Sequence, residues 1–566
     1  MSNILDTVKN RTYDAIVIGS GASGGWAAKE LCDKGLKTLV LERGRDVKHG
    51  VDYPAASKAP WDFEYRGAVT LQERTAFQGS RFLRAETLNW AMKDDEQPFI
   101  QEKPFRWVRG YHMGGKSLLW ARQTQRWSDY DFEGPQRDRF AVNWPIRYKD
   151  LEPWYSYVEK FAGVAGDRDG LTVLPDSEVM PGFEMSCIEQ YFKENIKKHF
   201  NDRDVIKGRC AHLTDPQQIH TQQGRGKCQN QTMCNRGCLY GGYFSSNAST
   251  LPWAQKTGKL TLRPHAVVHS IIYDDKKGKA TGVRVIDSTT KEMIEFYASI
   301  IFLNASTLNS NAILLNSTSH RFPNGLGNDG NVLGKFISWH NYRGKGGAEF
   351  EGFKDKKTDG RNPSNAYMPR FRNVLKQETD FLRGYAIGLG GGRGTWTDTS
   401  KIGDELRENI QHPKWGNRRL SSWMMGEVVP LEKNHVRLHA DLKDKYGIPQ
   451  LIVSCEWSEN DDKMVADYIE QTKEMFSKAG FININAEDTK SPPGADIHEV
   501  GGVRMGEDPK TSMLNKWNQL HACKNVIVSD GSCMTSTGTQ NPTLTFMALT
   551  ARAANHAIEE LKKRNI

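Results

Sequence analysis

No uninterrupted apolar run in this sequence approaches ~18 residues, which speaks against a membrane-spanning helix. The opening stretch, "MSNILDTVKNRTYDAIVIGSG", lacks the charged start, apolar core and small-residue cleavage site of an export signal, so a chain that folds where it is made, in a reducing compartment, is expected. Cysteine is scarce, with nine in 566 residues. In such a compartment these are expected to be thiols or metal ligands, not a disulfide framework. Long Lys/Arg runs and a stacked aromatic register are missing as well. The net charge of +9 reads as solubility, or a mild attraction to an acidic partner, and no nucleic-acid footprint is expected. What the chain does have is length and glycine. Its 566 residues exceed the ~250–300 at which one core stops growing, so two or more domains are expected. Fifty-two glycines imply many tight turns and close backbone approaches.

The most readable segment is "YDAIVIGSGASGGWAAKELCDKGLKTLVLERG". "DAIVIG" is a short apolar, β-branched run, the pattern of a buried parallel strand. Gly19, Gly21 and Gly24 follow as G-x-G-x-x-G. "WAAKELCDKG" has helical spacing and ends at Gly35, a C-cap candidate, and "KTLVLERG" is a second strand. Gly19 permits the tight turn, Gly21 lets a pyrophosphate approach the backbone, and Gly24 lets helix and strand pack closely. The helix N-terminus offers its N–H groups to the anion. Glu42, 18 residues after Gly24, is placed to accept hydrogen bonds from an adenosine ribose. It would repel a 2′-phosphate, which favours FAD or NAD over NADP, although Arg43 is adjacent.

The C-terminal region holds two further stretches. "ADIHEVGGVRMG" carries His498, and "NVIVSDGSCMTSTGTQNPTLTFMALTARAANHAIEEL" reads as a strand, a turn at Asp530-Gly531, and an amphipathic helix begun at Asn541-Pro542-Thr543. With these, the chain resembles the glucose–methanol–choline (GMC) oxidoreductase family over nearly its whole length. "WVRGYHMGGKSLLWARQTQRW" is similar to the family's second FAD loop. "LTLRPHAVVHSIIYD" and "SIIFLNASTLNSNAILLNS" resemble the middle strands of its FAD domain, and "NGLGNDGNVLGKFISWH" fits the same order. The resemblance implies an α/β fold, with a Rossmann-type FAD-binding domain and an antiparallel-sheet substrate domain, and favours FAD over NAD. It places cofactor contacts at Gly19, Gly21, Ala22, Ser23, Gly24, Glu42, Arg43, Arg109, Gly114, Gly115, Ser117, Val267, Val268, Ala305, Asp530, Gly531, Asn541, Pro542 and Thr543. It also implies a dehydrogenase acting on CH–OH donors, in which a His–Asn pair meets the substrate hydroxyl. The matching residues are His498 and Asn541. An imidazole suits a proton acceptor near neutral pH, and an amide can hold the hydroxyl without competing for its proton. Where some family members attach FAD covalently through a histidine, this chain has Leu119, so non-covalent FAD is expected. His112, just upstream, is read as structural.

"KCQNQTMCNRGC" crowds Cys228, Cys234 and Cys238 into a C-x5-C-x3-C spacing. From the residues alone, free thiols, structural zinc with His220 or Cys210 as a fourth ligand, and an iron–sulfur cluster all stand open, with a disulfide disfavoured by the compartment. Followed by "LYGGYFSSNASTLPWAQKTG", the segment resembles the cluster-binding stretch of FAD subunits of bacterial sugar and gluconate dehydrogenases, which implies a 3Fe–4S cluster on the three thiolates. Such a cluster would pass electrons singly to a cytochrome. Cys32, Cys187, Cys455, Cys523 and Cys533 are scattered and read as packing residues.

The domain layout expected is an FAD-binding part over 1–340, interrupted by a connector and the cysteine segment at about 120–250. A substrate sheet follows over 341–460, and the chain returns to the FAD domain over 461–566. "GKGGAEFEGF", "AYMPRFRNV", "RGYAIGLGGG", "SSWMMGEVVP" and "NHVRLHADL" read as strands of that sheet, and "DKYGIP" as a turn. "DFEGPQRDRF" and "WPIRYKDLEPWYSYVEKFAG" resemble a family connector, which implies a helix packed on the FAD domain. The resemblance further implies a sugar or glycoside substrate, with oxidation of a glucoside 3-hydroxyl as the leading reading. Gluconate 2-dehydrogenase or another cluster-bearing sugar or polyol dehydrogenase is the alternative, and a non-catalytic flavin-binding electron-transfer subunit is the reading from another class. It also implies a small export or chaperone-like subunit, a cytochrome c, and a periplasmic location by co-export, or else the cytoplasm.

Overall fold

A computed structural model describes residues 11–77, 83–231, 234–356 and 363–566. The first ten residues, on which part of the no-leader expectation rests, and Thr232 and Met233 inside the cysteine segment lie outside the described residues.

"DAIVIG" lies in the strand Thr12–Ile18, buried from Ala15 onward. It pairs in parallel with Thr38–Leu41 on one side and Met293–Leu303 on the other. Cys523–Val528 and Leu260–Arg263 extend the parallel set outward. A strand covered on both faces has no polar side, which is why these segments read as unbroken apolar runs. All five strands end at one edge, and the order reverses at Thr12–Ile18, so a crevice opens there. Ala266–Asp274 and Lys279–Asp287 join as an antiparallel meander.

Helix Ala22–Asp33 packs beside this sheet and ends before Gly35, whose φ of +86° closes the turn. The connector helix forms over Tyr148–Ala162 and is clamped to it by aromatics, with Trp26 meeting Tyr157 and Phe161 edge-on at 5.9 and 5.2 Å. The hydroxyls of Tyr155 and Thr545 lie 2.8 Å apart, which ties the same helix to the C-terminal helix Thr543–Lys562.

The second sheet is antiparallel and seven-stranded. Its order is Ile482–Asp488, Gly344–Phe350, Lys414–Glu427, Tyr385–Trp396, Ala366–Met368 and Ile206–Lys207, with His340–Asn341 on the inner end of Lys414–Glu427. Lys414–Glu427 alternates exposed and buried around Arg418–Ser422 and is buried throughout from Met424 to Glu427. The glycines of "GKGGAEF" have a reason: a Cβ on Gly344 would lie 2.4 Å from the Tyr468 ring of the covering helix Glu459–Lys478. The strand read in "NHVRLHADL" forms as His435–Lys443, but in a separate three-stranded sheet with Pro449–Ser454 and Phe99–Gln101. Its Val436 joins Leu451 and Val453 against Phe105, Trp107 and Trp339, which draws it away from the larger sheet. "DKYGIP" is the intervening turn, with Gly447 at φ +77°. Among the described residues no helix is long and apolar enough to cross a membrane.

Candidate active site

A cavity of about 560 Å³ opens between the C-terminal edge of the parallel sheet and the inner face of the antiparallel one. That size is ordinary for a small-molecule site. One wall is the run Gly19–Ser23 with Glu42, Arg43, Asn304, Ala305, Asp530 and Gly531. The other carries Tyr342, Asn365, Tyr367, Trp423 and Met425, and His498 and Asn541 lie on the wall too.

The first glycine turn is built as its sequence implies. Gly19 sits at φ +96°, and a Cβ there would come 2.3 Å from the Asn304 carbonyl oxygen. Gly21 faces open space, with nothing within 4 Å of its Cβ position. It caps helix Ala22–Asp33 and, being glycine, offers no side-chain cap to the first N–H groups, while Ala22 and Ser23 line the cavity. Glu42 is fully enclosed, accepting from Ser20 N at 3.2 Å, from the Ser20 hydroxyl and from Gly44 N at 2.9 Å. Burial pushes its carboxyl up from the usual range.

A second glycine loop faces the first. Gly115 lines the cavity, and its Cβ position is 3.5 Å from Gly21 Cα. Ser117 also lines it, but its hydroxyl holds the loop, donating to the Gly114 carbonyl at 2.6 Å and accepting from Ser246 N at 3.0 Å. Arg43 stacks 4.9 Å from the Tyr111 ring centroid and Arg109 lies 4.6 Å from that of Trp107, both on the cavity wall. Asp530 accepts from the Ser310 hydroxyl at 2.6 Å and from Ser532 N at 3.0 Å. Val268, Ala305, Gly531, Pro542 and Thr543 line the cavity as well.

Three of the expected contacts do not. Gly24 packs under the turn, its Cβ position 1.9 Å from the Gly19 carbonyl oxygen. Gly114, at φ +87°, is occupied with structure: its N–H donates to the Ser20 hydroxyl at 2.9 Å, and a Cβ would fall 1.5 Å from Asn247 Oδ1. Val267 points to the opposite face from Val268, as neighbours on a strand must.

Several polar atoms of wall residues are buried without a hydrogen-bond partner among the described residues: Asn304 Nδ2, Glu499 Oε1, the Tyr367 hydroxyl, Arg109 Nε, and Arg122 Nε and Nη1. Orphaned polar atoms, an uncapped helix N-terminus and two facing glycine loops together fit a dinucleotide, whose pyrophosphate needs N–H donors and whose rings offer donors and acceptors.

His498 reaches the cavity with both ring nitrogens engaged. Nε2 is 3.2 Å from Asn541 Nδ2, and Nδ1 is 3.0 Å from Nδ1 of His340. The two imidazoles cross at 85°. Asp496 Oδ2 lies 3.7 and 3.9 Å from these Nδ1 atoms and accepts the His340 backbone N–H at 2.8 Å. His340 is fully buried and is held down to about 4 chiefly by that burial, with Glu427 and the Gly538 backbone pulling the other way. Sequence reasoning missed His340, a lone histidine in "SWHN" 158 residues from its partner. It missed Tyr342, Asn365, Tyr367 and Trp423 on the opposite wall for the same reason, since only the sheet register gathers them. His112 is buried beside Trp90 and held near 4 by burial.

The three clustered cysteines are half-buried. Asn235, between two of them, lines the cavity. Gly242 N–H donates to Cys238 Sγ at 3.2 Å, and Cys234 Sγ lies 3.8 Å from His212 Nε2. Among the described residues no trio of thiols is gathered closely enough for a single ion. The fourth zinc ligands considered from sequence are committed. His220 contacts the Lys160 carbonyl at 2.9 Å through Nε2 and accepts Gln217 N at 2.9 Å through Nδ1, and Cys210 is wholly buried with its thiol pushed up by desolvation. Two buried guanidiniums stand nearby. Arg225 donates to the Gly241 and Ala162 carbonyls, and burial pulls it down to about 9 against the attraction of Cys238. Arg122 lies 4.9 Å from the Tyr243 ring centroid, with Nε and Nη1 unpartnered. Neither has a carboxylate partner among the described residues. Cys32, Cys455, Cys523 and Cys533 are buried and Cys187 is half-buried.

The 2-methyl-1,2-propanediol dehydrogenase of Mycolicibacterium austroafricanum is 27% identical over 96% of this chain and 94% of its own length. The fructose dehydrogenase large subunit of Gluconobacter japonicus is 23% identical over 97% and 98%, and the gluconate 2-dehydrogenase flavoprotein of Pantoea cypripedii 24% over 98% and 95%. The pyridoxine 4-oxidase from Mesorbium loti shares the fold, with a TM-score of 0.59 at 15% identity over 96% of this chain and 99% of that one. Residues 13–340 match the N-terminal GMC oxidoreductase model and 430–550 the C-terminal one. With both models matched over these ranges, the chain belongs to the GMC oxidoreductase family.

Proposed function

We propose that this chain binds FAD non-covalently and oxidises a ring hydroxyl of a sugar or glycoside, with the 3-hydroxyl of glucosides as the leading substrate position. The observation that carries the reading is the placement of His498 Nε2, 3.2 Å from Asn541 Nδ2 on the wall of a cavity whose far side is aromatic and polar. Gly21, Ala22, Ser23 and Gly115 would receive the pyrophosphate, and Glu42 the ribose. Leu119, on the cavity wall, offers no attachment point. The bound flavin supplies the hydride acceptor. His498 takes the hydroxyl proton at Nε2, and Asn541 holds the oxygen so that the C–H bond is aimed into the cavity. Tyr367 and Trp423 offer faces for a pyranose ring, and Asn365 an amide for its hydroxyls.

A 3Fe–4S cluster on Cys228, Cys234 and Cys238 is part of this reading. Three thiolates holding such a cluster carry net negative charge, which supports the otherwise unbalanced pair Arg122 and Arg225 as its neighbours. The cluster would divide a two-electron oxidation into single transfers to a cytochrome. The relatives named as a large subunit and a flavoprotein support a multi-subunit assembly. A small export subunit, a cytochrome c and a periplasmic location by co-export complete the proposal, with the cytoplasm as its alternative. The gluconate 2-dehydrogenase flavoprotein among the relatives favours a second reading, oxidation of gluconate or of another sugar or polyol.

The test is the purified chain, with any companion subunit, offered a panel of glucosides, free sugars and gluconate with a redox dye, and the keto product identified by NMR. His498→Ala should keep flavin and lose about 10²–10⁴-fold in kcat. Unchanged turnover in that variant would leave a non-catalytic flavin subunit as the better reading.

A further inference from the structure

The cavity wall places a second histidine behind the first, and the atoms that face each other restrict where the protons lie. Nδ1 of His340 and Nδ1 of His498 are 3.0 Å apart, so exactly one of them carries a hydrogen in the neutral pair. On the far side of His498 the Asn541 amide nitrogen faces Nε2 at 3.2 Å. An N–H of Asn541 meets a lone pair only if Nε2 is bare, and then the His498 proton sits on Nδ1.

We propose that His340 is the positioning partner of His498: its Nδ1 accepts a hydrogen bond from the Nδ1–H of His498 and so keeps Nε2 of His498 as the bare, proton-accepting atom beside Asn541. The inference rests on the reading of His498 as the base. His340 plays towards it the part that a carboxylate plays in a Ser-His-Asp triad, where loss of the orienting group leaves the imidazole in the wrong tautomer.

The surroundings suit that role. Asp496 is too distant for a direct bond to either Nδ1, at 3.7 and 3.9 Å, and its Oδ2 fixes the His340 backbone N–H at 2.8 Å. Across the strand ladder His340 is paired with Glu427, whose carboxylate is engaged by Arg370 at 3.0 Å and Arg383 at 2.9 Å. Arg370 in turn holds Asp131 at 2.8 Å, and Asp131 accepts from Gln540, the residue before Asn541, at 3.1 Å. Glu499, next to His498, is held by Lys116 at 3.5 Å. The charges these contacts set around the two imidazoles are Asp496 and Glu427 with its partners Arg370 and Arg383, and the Glu499–Lys116 pair adjoins His498 in the chain. His340 itself, fully buried, stays neutral at pH 7, so its Nδ1 lone pair can accept a hydrogen bond from His498 while His498 becomes the cation. A charged acceptor there would compete for the substrate proton, and a solvent-exposed one would let water scramble the tautomer.

The experiment compares His340→Phe, a ring without an acceptor, with His340→Asn, whose Oδ1 can occupy the Nδ1 position. Both are measured as flavin-loaded protein beside His498→Ala, with kcat, KM and the acid limb of the kcat/KM profile as readouts. His340→Phe should lose about 100-fold in kcat with KM changed less than about threefold, and its acid limb should move to lower pH, because the imidazolium of His498 has lost its acceptor. His340→Asn should stay within about tenfold of the parent and keep the limb in place. A His340→Phe protein with parent kcat and an unmoved limb overturns the proposal. If His340→Phe does not fold, His340→Asn decides: flavin-loaded protein with a displaced limb overturns it, and one with the limb in place supports it. Parent activity in His498→Ala would instead remove the base reading on which this rests, whereas an inactive His498→Ala with an unaffected His340→Phe removes this inference alone.

Discussion

Gly21→Ala separates cofactor contact from fold stability. The backbone at Gly21 is extended, with φ −65° and ψ −165°, which alanine adopts freely, and its Cβ would meet nothing within 4 Å. The empty protein should therefore be as stable as the parent, or more so by about 0.4–1 kcal/mol through a stiffer unfolded chain. The methyl group projects where the pyrophosphate is to approach. Losing one charge-assisted hydrogen bond costs about 1.5–3 kcal/mol, a rise of roughly 10- to 100-fold in Kd. Gly24→Ala behaves differently, because its Cβ would sit 1.9 Å from a backbone oxygen, that of Gly19. The helix must move away from the turn, and both the empty protein and the binding should suffer, by about 1–3 kcal/mol of overpacking. The assay is titration of the flavin-free variants with FAD, followed by fluorescence, together with urea melts of the same flavin-free proteins. A Gly21→Ala protein that binds FAD as tightly as the parent would refute the reasoning, since no pyrophosphate could then lie against that backbone.

Cys234→Ser should keep flavin and dye reduction but lose iron and the reduction of cytochrome. Metal analysis of the purified variant checks this, and parent iron content with normal cytochrome reduction would exclude the cluster. Acid should weaken the fold through buried histidines. His112 and His340 sit near 4 when folded against 6.5 as free side chains, so the unfolded chain binds their protons more readily, and their contribution is present above pH 6.5 and is lost as the pH falls towards 4. About 3 kcal/mol each is at stake, visible as a falling Tm across that window, and His112→Phe should flatten the fall. Glu427→Gln leaves Arg370 and Arg383 buried with one carboxylate each, Asp131 and Asp138, and should cost about 3 kcal/mol in urea melts, the lower end for breaking a buried pair.

The parts of this molecule that sequence makes legible are those whose chemistry is local. Gly19, Gly21, Gly24 and Glu42 lie within one strand–helix–strand unit, so spacing alone exposes them. His498 and Asn541 are 43 residues apart, and each alone resembles a loop histidine or a helix cap. Their pairing was readable only through resemblance to a family. The wall opposite them belongs to a sheet that takes strands from as far apart as Ile206–Lys207 and Ile482–Asp488, and register there is fixed by side chains such as Tyr468 that no short pattern reveals. Val267 and Val268 show the limit within one strand: the same residue type twice, of which one faces the cavity. The buried Arg370, Arg383 and Glu427 were invisible because charged residues are expected at the surface, and only a partner supplied by tertiary structure lets them be buried.

The segment Asp496–Val500 explains why the two sheets act as one site. Asp496 accepts the His340 backbone N–H on the antiparallel side at 2.8 Å, and the Glu499 carbonyl accepts the Thr307 hydroxyl at the start of a helix that follows the parallel sheet. Val500 exchanges backbone hydrogen bonds with Ser338, its N–H donating at 2.9 Å and its carbonyl accepting at 3.0 Å. His498 stands between these anchors, so its position is set by both layers at once. A shift of either sheet moves the imidazole relative to Asn541, which belongs to the start of the C-terminal helix and not to the segment. With His498 as the proposed base, catalytic geometry is a property of the seam, and substitutions that loosen it should lower kcat before they lower the affinity for either cofactor or substrate.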